Sequence, residues 1–397
     1  MLRACRRRRH KRPTRKAGTR TLVLVAFAAL SIGGHSQATL AAGLTERTRL
    51  AAVYDTILHA RFDQARAELA RTCPPAPTES CLALTEVVLW WQIQLDPGSR
   101  ALDKSLQTAA ATAIDEARRW TEREPQRAEA WFYLAGAHAP LEQWRILRGQ
   151  KLSAARDAIG LKNALDKTIA LDPSLQDAYF GIGLYHYYAA VAPAAVKMLR
   201  WLLFLPGGDR EGGLREMQRA RDQGALLGGE ADFQLHWLYL WYEHQPARAL
   251  ELVRGLDARY GSNPIFLQRV AEIQHDIRDH AASSQTWQTL LDRANARQVE
   301  AAAMASVRAR IGLAQELVEM SDARRAIDLL RSTIDAHPTT PYGAEALAHF
   351  VLGRAFEAIR DRDRATMEWR NAIATAPSDD PDNIRARARA AMARTSR

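Results

Sequence analysis

The sequence predicts an all-α protein, a right-handed α-solenoid of about eight helix pairs with a C-terminal capping helix. Three observations carry this expectation. Ala, Leu, Arg, Glu and Gln dominate and β-branched runs are scarce, which favours helix along most of the chain. Apolar residues recur at three- and four-residue spacing in paired blocks that end on Pro or Gly. No strand-like alternation of useful length interrupts them. The chain has 397 residues, 47% of them hydrophobic, so it can bury a large core but exceeds what one ordinary globular core spans.

The clearest unit runs from Tyr342 to Pro377. His349, Leu352, Gly353 and Phe356 share one face of a first helix, and Ala365, Trp369 and Ala372 share one face of a second. Small residues are expected where two helices touch, a large aromatic where a gap must be filled, and proline where the helix must stop. The same register recurs with substitutions. Near the start, Phe62, Ala65 and Leu69 mark a first pair, and Leu82–Leu95 with Leu102–Glu124 supply the next. Trp131, Leu134 and Ala135 open a unit that ends at Asp172-Pro173. Tyr179, Ile182 and Gly183 open another, closing on Gly213, Met217 and Ala220. Phe233, Leu240, Ala249, Val253 and Leu256 follow, then Phe266, Val270, Ala282 and Leu290. Leu313, Ala314, Leu317, Ala326 and Leu330 give the unit before the last. Insertions are expected at 141–160 and 191–210. Asn383–Arg394 reads as the capping helix, the polar-faced end that a stack of repeats requires.

This register resembles the tetratricopeptide repeat, with its period of about 34 residues, over nearly all of residues 44–378. The resemblance implies stacked helix pairs whose first helices line a concave face, and a binding role rather than a catalytic one. The block Tyr179–Ala220 also resembles a segment of the tetratricopeptide repeat 39 family. It departs from that intracellular family in carrying an export signal.

The signal accounts for the charge. The formal net charge is +10, but ten basic side chains lie within residues 1–20 and the first acidic residue is Glu46. Without them, basic groups equal the 45 acidic ones, so a phosphate-tracking surface and a nucleic-acid partner are not expected. The basic stretch precedes a compact apolar run, Thr21–Ile32, and the small residues Ser36-Gln37-Ala38. Together these read as a secretory signal peptide over residues 1–38, with an uncleaved anchor as the alternative. Spanning a bilayer takes about 20 apolar residues, and this run is shorter. The domain reading is therefore signal 1–38, solenoid 39–378, and capping helix with tail 379–397. The expected location is periplasmic or extracellular. Cys73 and Cys81 flank a short loop and are expected to form a disulfide, as an even pair in an exported chain does.

Motifs for chemistry are absent. There is no His-Glu-x-x-His, no Gly-x-Ser-x-Gly and no phosphate-cradling glycine loop ending in Lys-Ser/Thr. The run Gly207–Gly213 is expected to be a loop and helix start, with Asp209 as the cap. His186 aligns with the position at which Phe356 packs in the last unit. His236 and His244 have no third ligand, and the cysteines have no histidine beside them, so no metal and no cofactor is expected. An enzyme would have to draw on Tyr185, His186, Asp209 and Arg210.

Aromatic pairs recur on successive first helices. By register Phe132, Phe180, Leu184, Tyr187, Tyr188, Leu238, Trp241 and Tyr242 point to the concave face. They are either core between helix layers or anchors for a bound protein or peptide, a role for which aromatics offer large contact area at low entropic cost. Ala194–Leu205 is apolar apart from Lys197 and Arg200. It is expected either to pack on the solenoid or to lie on a membrane surface, with Lys197, Arg200, Trp201 and Leu202 as the contacts. The leading expectation is an exported, non-catalytic scaffold that holds a partner in its concave groove.

Overall fold

The structure is a computed structural model that describes residues 43–192 and 207–395. The signal segment and Lys197, Arg200, Trp201 and Leu202 lie outside the described residues. Among the described residues there are 17 helices and no strand, and the helices fall into eight consecutive pairs and one terminal helix. The pairs are α1 (Arg47–Leu58) with α2 (Phe62–Thr72), α3 (Thr78–Leu95) with α4 (Asp103–Arg123), α5 (Ala128–Leu147) with α6 (Lys151–Leu171), and α7 (Ala178–Val191) with α8 (Arg210–Gln223). Next come α9 (Gly228–Trp237, running on into a π-helical turn at Leu238–Tyr242) with α10 (Pro246–Arg259), and α11 (Pro264–Asp276) with α12 (His280–Asn295). The last are α13 (Ala302–Glu319) with α14 (Ala323–Asp335) and α15 (Ala344–Ala358) with α16 (Arg362–Thr375). Helix α17 (Ile384–Thr395) follows as the cap. An α-solenoid is thus what the chain forms.

Local chemistry sets the boundaries. The turn inside a pair repeats one device, a non-glycine residue in the left-handed region at Ala60, Arg278, Ser321 and Arg360. The second helix then starts at once, and side chains satisfy its free N–H groups. Asp279 accepts from the Ala282 N–H at 3.1 Å, and Asp361 from the Arg364 N–H at 3.1 Å. Asp209 caps α8 as expected, accepting from the Gly212 N–H at 2.8 Å. Pro246 and Pro264 open α10 and α11, where a missing N–H costs nothing. Residues 141–160 form no separate element: they are the end of α5 and the start of α6, lengthened to 20 and 21 residues.

Within a pair, the small register positions are steric requirements. A Cβ on Gly353 would run into the indole nitrogen of Trp369, which lies buried over it. A Cβ on Gly183 would sit 2.7 Å from the Gly213 carbonyl oxygen. Trp369 therefore packs inside its own pair, over Gly353. Cys73 and Cys81 are joined by a disulfide between α2 and the first turn of α3.

The stack also winds back on itself. The first two pairs pack along the first helices of the later ones. Trp91 of α3 lies 4.9 Å from Phe233 and 5.8 Å from Phe266, ring centre to ring centre. Its indole N–H and the Tyr54 hydroxyl both donate to the buried Glu230 carboxylate, at 3.1 and 3.2 Å. The Tyr260 hydroxyl donates to Asp55 at 2.8 Å and the Asn263 amide to the Leu58 carbonyl at 2.9 Å. Arg308 donates to the Leu95 carbonyl at 2.9 Å, and the Tyr342 N–H to Asp96 at 3.0 Å. The inner faces of α1 and α3 are therefore covered by the chain itself, and Trp90 and Trp91 are core.

Candidate aromatic docking surface

The inner-face residues separate sharply once folded. Phe132, Phe180, Tyr187 and Leu238 are buried, and Leu184 is partly buried against the same core. Tyr188, Trp241 and Tyr242 remain exposed, at 40%, 58% and 41%. These three sit near the C-terminal ends of α7 and α9, and the backbone explains why. The π-helical turn Leu238–Tyr242 closes with the Glu243 N–H on the Leu238 carbonyl at 2.9 Å. One extra residue in a turn rotates the side chains after it, so Leu238 and Tyr239 stay inside while Trp241 and Tyr242 turn out.

The surface they form has a built floor. Tyr242 stands edge-on to both Tyr188, at 5.7 Å, and buried Tyr187, at 6.0 Å. Trp241 lies against Trp237 at 4.3 Å, and the Arg269 guanidinium covers Trp237 at 4.4 Å. Beneath, the Tyr187 hydroxyl donates to Glu243 at 2.5 Å, and Arg210 makes a two-pronged pair with the same carboxylate at 2.8 and 2.6 Å. Arg210 holds the Glu243 carboxyl below the usual carboxylate range. The carboxylate thus ties the start of α8 to the end of α9.

Of the four residues an enzyme would draw on, the Asp209 N–H donates to the His186 carbonyl at 3.1 Å, but the four side chains have separate partners. The His186 Nδ1 meets Glu216 at 2.7 Å, Asp209 caps α8, and Arg210 is paired with Glu243. Tyr185 lies under the Lys162 ammonium at 5.3 Å. The depression beside Asp209 and Arg210 is lined by Gly208, Glu211, Leu214 and Glu243, not by Tyr185 or His186. His186 does not pack as Phe356 does: it is partly exposed, and its neighbour Tyr187 is the buried ring. His236 is buried, and burial pushes its imidazole down to about 3. His244 lies beyond the helix, in the turn before α10.

Below the surface, α3, α5 and α6 enclose ionisable groups that the sequence did not single out. Glu86 is buried, and burial raises its carboxyl well above the ordinary range, against the opposing pull of the Leu141 backbone. Glu142 is pushed up to about 7, first by burial and then by the nearby Asp157 charge. Asp157 is paired with Arg145 and approached by His138, whose imidazole burial pushes down. An open cleft of about 700 Å³ lies elsewhere, between Arg61, Gln92, Asp96, Glu300 and Met304. No helix among the described residues is long and apolar enough to cross a membrane.

No protein-family model and no curated protein sequence matches the chain. Solved structures similar to it include the Cut9–Hcn1 hetero-tetramer of APC/C, at TM-score 0.41 and 12% identity, covering 82% of this chain and 58% of that one. The chain therefore spans little more than half the length of that relative. Yeast Tom70 is similar at TM-score 0.40 and 13% identity, covering 88% of this chain and 82% of that one. YrrB, titled a TPR protein with an unusual peptide-binding site, is similar at TM-score 0.28 and 17% identity, covering 66% and 93%. At these values the likeness adds nothing to the tetratricopeptide-like architecture, which rests on this chain's own helix pairing and small-residue contacts.

Proposed function

We propose that this chain is an exported helical-repeat scaffold that holds a protein or peptide partner against the surface formed by Tyr188, Trp241 and Tyr242. One observation carries the reading. Of the eight side chains that register assigns to the inner face, these three are the exposed ones, and they gather on adjacent helix ends over a rigid polar floor. Large exposed rings on a pre-ordered base are the anchors that protein interfaces use, because they bury much area and lose little side-chain freedom. Export is supported by the basic, apolar and small-residue order of residues 1–38 and by the Cys73–Cys81 disulfide. The partner is held rather than transformed, since the polar groups nearby are engaged in pairs that stabilise helix ends.

A photo-crosslinking residue placed at Glu211, beside the surface, tests this in envelope preparations, with mass spectrometry as the readout. A discrete partner band is expected, lost when Trp241 and Tyr188 are both replaced by alanine. A band unchanged by that double replacement overturns the surface assignment. Cleavage after residue 38 and protection of the chain from cytoplasmic protease test export. An uncleaved, cytoplasmic chain refutes it.

A further inference from the structure

Away from the aromatic surface, one group of imidazoles and carboxylate among the described residues converges closely enough to share an ion. His275 is the penultimate residue of α11 and His280 the first of α12, so the tight turn through Arg278 folds the two rings toward each other. Their centres are 5.4 Å apart and their planes are inclined at 72°. Glu316 rises between them from α13. Its two oxygens are divided, one 2.8 Å from the His275 Nδ1 and the other 2.8 Å from the His280 Nδ1. The carboxylate is nearly sealed, at 2% exposure, while the imidazoles open to solvent at 44% and 25%.

We propose that His275, His280 and Glu316 form a site for a divalent transition-metal ion of the zinc class, which clamps the sixth helix pair to the seventh. The donor atoms of the three side chains all lie within 4.8 Å of one another. Two ligands bound to one ion at about 2.1 Å cannot be farther apart than roughly 4.2 Å, so loading asks for small side-chain movements and no backbone shift. Two imidazoles and a carboxylate suit zinc, nickel, cobalt or copper, whereas magnesium and calcium prefer all-oxygen cages. The buried carboxylate forms the floor and the exposed side leaves room for water to complete the shell. A divalent ion also gives the buried Glu316 carboxylate a full counter-charge. In the metal-free arrangement each Nδ1–H donates to Glu316. On loading, each Nδ1 lone pair turns to the metal, and the proton Nδ1 carried passes to Nε2 or, where Nε2 already holds one, to water.

Zinc titration of the purified full chain, stripped with chelator and followed by calorimetry and nitrogen-detected imidazole NMR, tests the site. One equivalent is expected to bind, with the two imidazoles ending in the Nε2–H tautomer. His275→Asn is expected to weaken binding at least tenfold and to abolish the zinc-dependent rise in Tm. His337→Asn, at an exposed histidine elsewhere, is expected to leave both unchanged. Glu316 is buried, so replacing it also perturbs the fold, and the more exposed His275 variant decides the matter on its own. Absence of a one-equivalent isotherm, or one that His275→Asn leaves intact, overturns the proposal.

Discussion

Glu142 should make this protein less stable as pH rises, and replacing it should remove that dependence. The folded-state carboxyl is pushed from 4.5 up to about 7, by burial and by Asp157. The sign follows from proton binding. Between these two values the folded chain holds a proton that the unfolded chain has released, so folding is favoured at low pH. The contribution is complete below 4.5 and lost as pH rises through 7. A tenfold change in proton affinity is worth about 1.4 kcal/mol, so the full effect is about 3 kcal/mol, and partial solvent access trims it to about 2 kcal/mol. Glu142→Gln keeps the shape and cannot ionise. Urea unfolding of both proteins at several pH values from 4.5 to 8 gives the stability difference, in which titrating groups not coupled to Glu142 cancel. That difference should grow in favour of the variant by about 2 kcal/mol across the range. Asp157→Asn should reduce the growth, because it removes the second cause. A difference flat in pH would refute the assignment of a raised carboxyl to Glu142.

Three further outcomes follow from packing. Gly353→Val should cost about 1–3 kcal/mol in thermal or chemical unfolding, because its Cβ meets the buried Trp369 indole. Trp91→Ala should cost about 3–5 kcal/mol and make the first two helix pairs more open to amide exchange, since this ring joins them to α9 and α11. Replacing Cys73 and Cys81 together by serine should cost about 2–3 kcal/mol on the chain-entropy model, read by unfolding with and without reductant.

The candidate surface was half legible in the sequence. Register placed eight residues on the first-helix inner face, but it could not separate Tyr187 from Tyr188, adjacent residues of which one is fully buried and the other 40% exposed. Nor did it foresee the π-helical turn, whose added residue turns Trp241 outward. The metal-type cluster was not legible at all. His275 and His280 straddle a turn, and Glu316 lies 36 residues beyond the second of them, a spacing that matches no linear ligand motif.

What the sequence by itself determined is the helix pair and its repetition. Pairing is a contact between neighbours in the chain, so Gly353, Ala365 and Trp369, or Gly183, Gly213 and Met217, announce it through size and spacing alone. The cysteine pairing was equally local. What only the tertiary structure decided is where the stack goes afterwards. Each pair turns slightly against the last, and these rotations accumulate until α1 and α3 meet α9 and α11. The contacts that result join residues such as Asp96 and Tyr342, 246 positions apart along the chain. No local pattern records a sum of small rotations, so burial of Trp91, exposure of Trp241 and the meeting of Glu316 with two histidines appear only in the folded molecule.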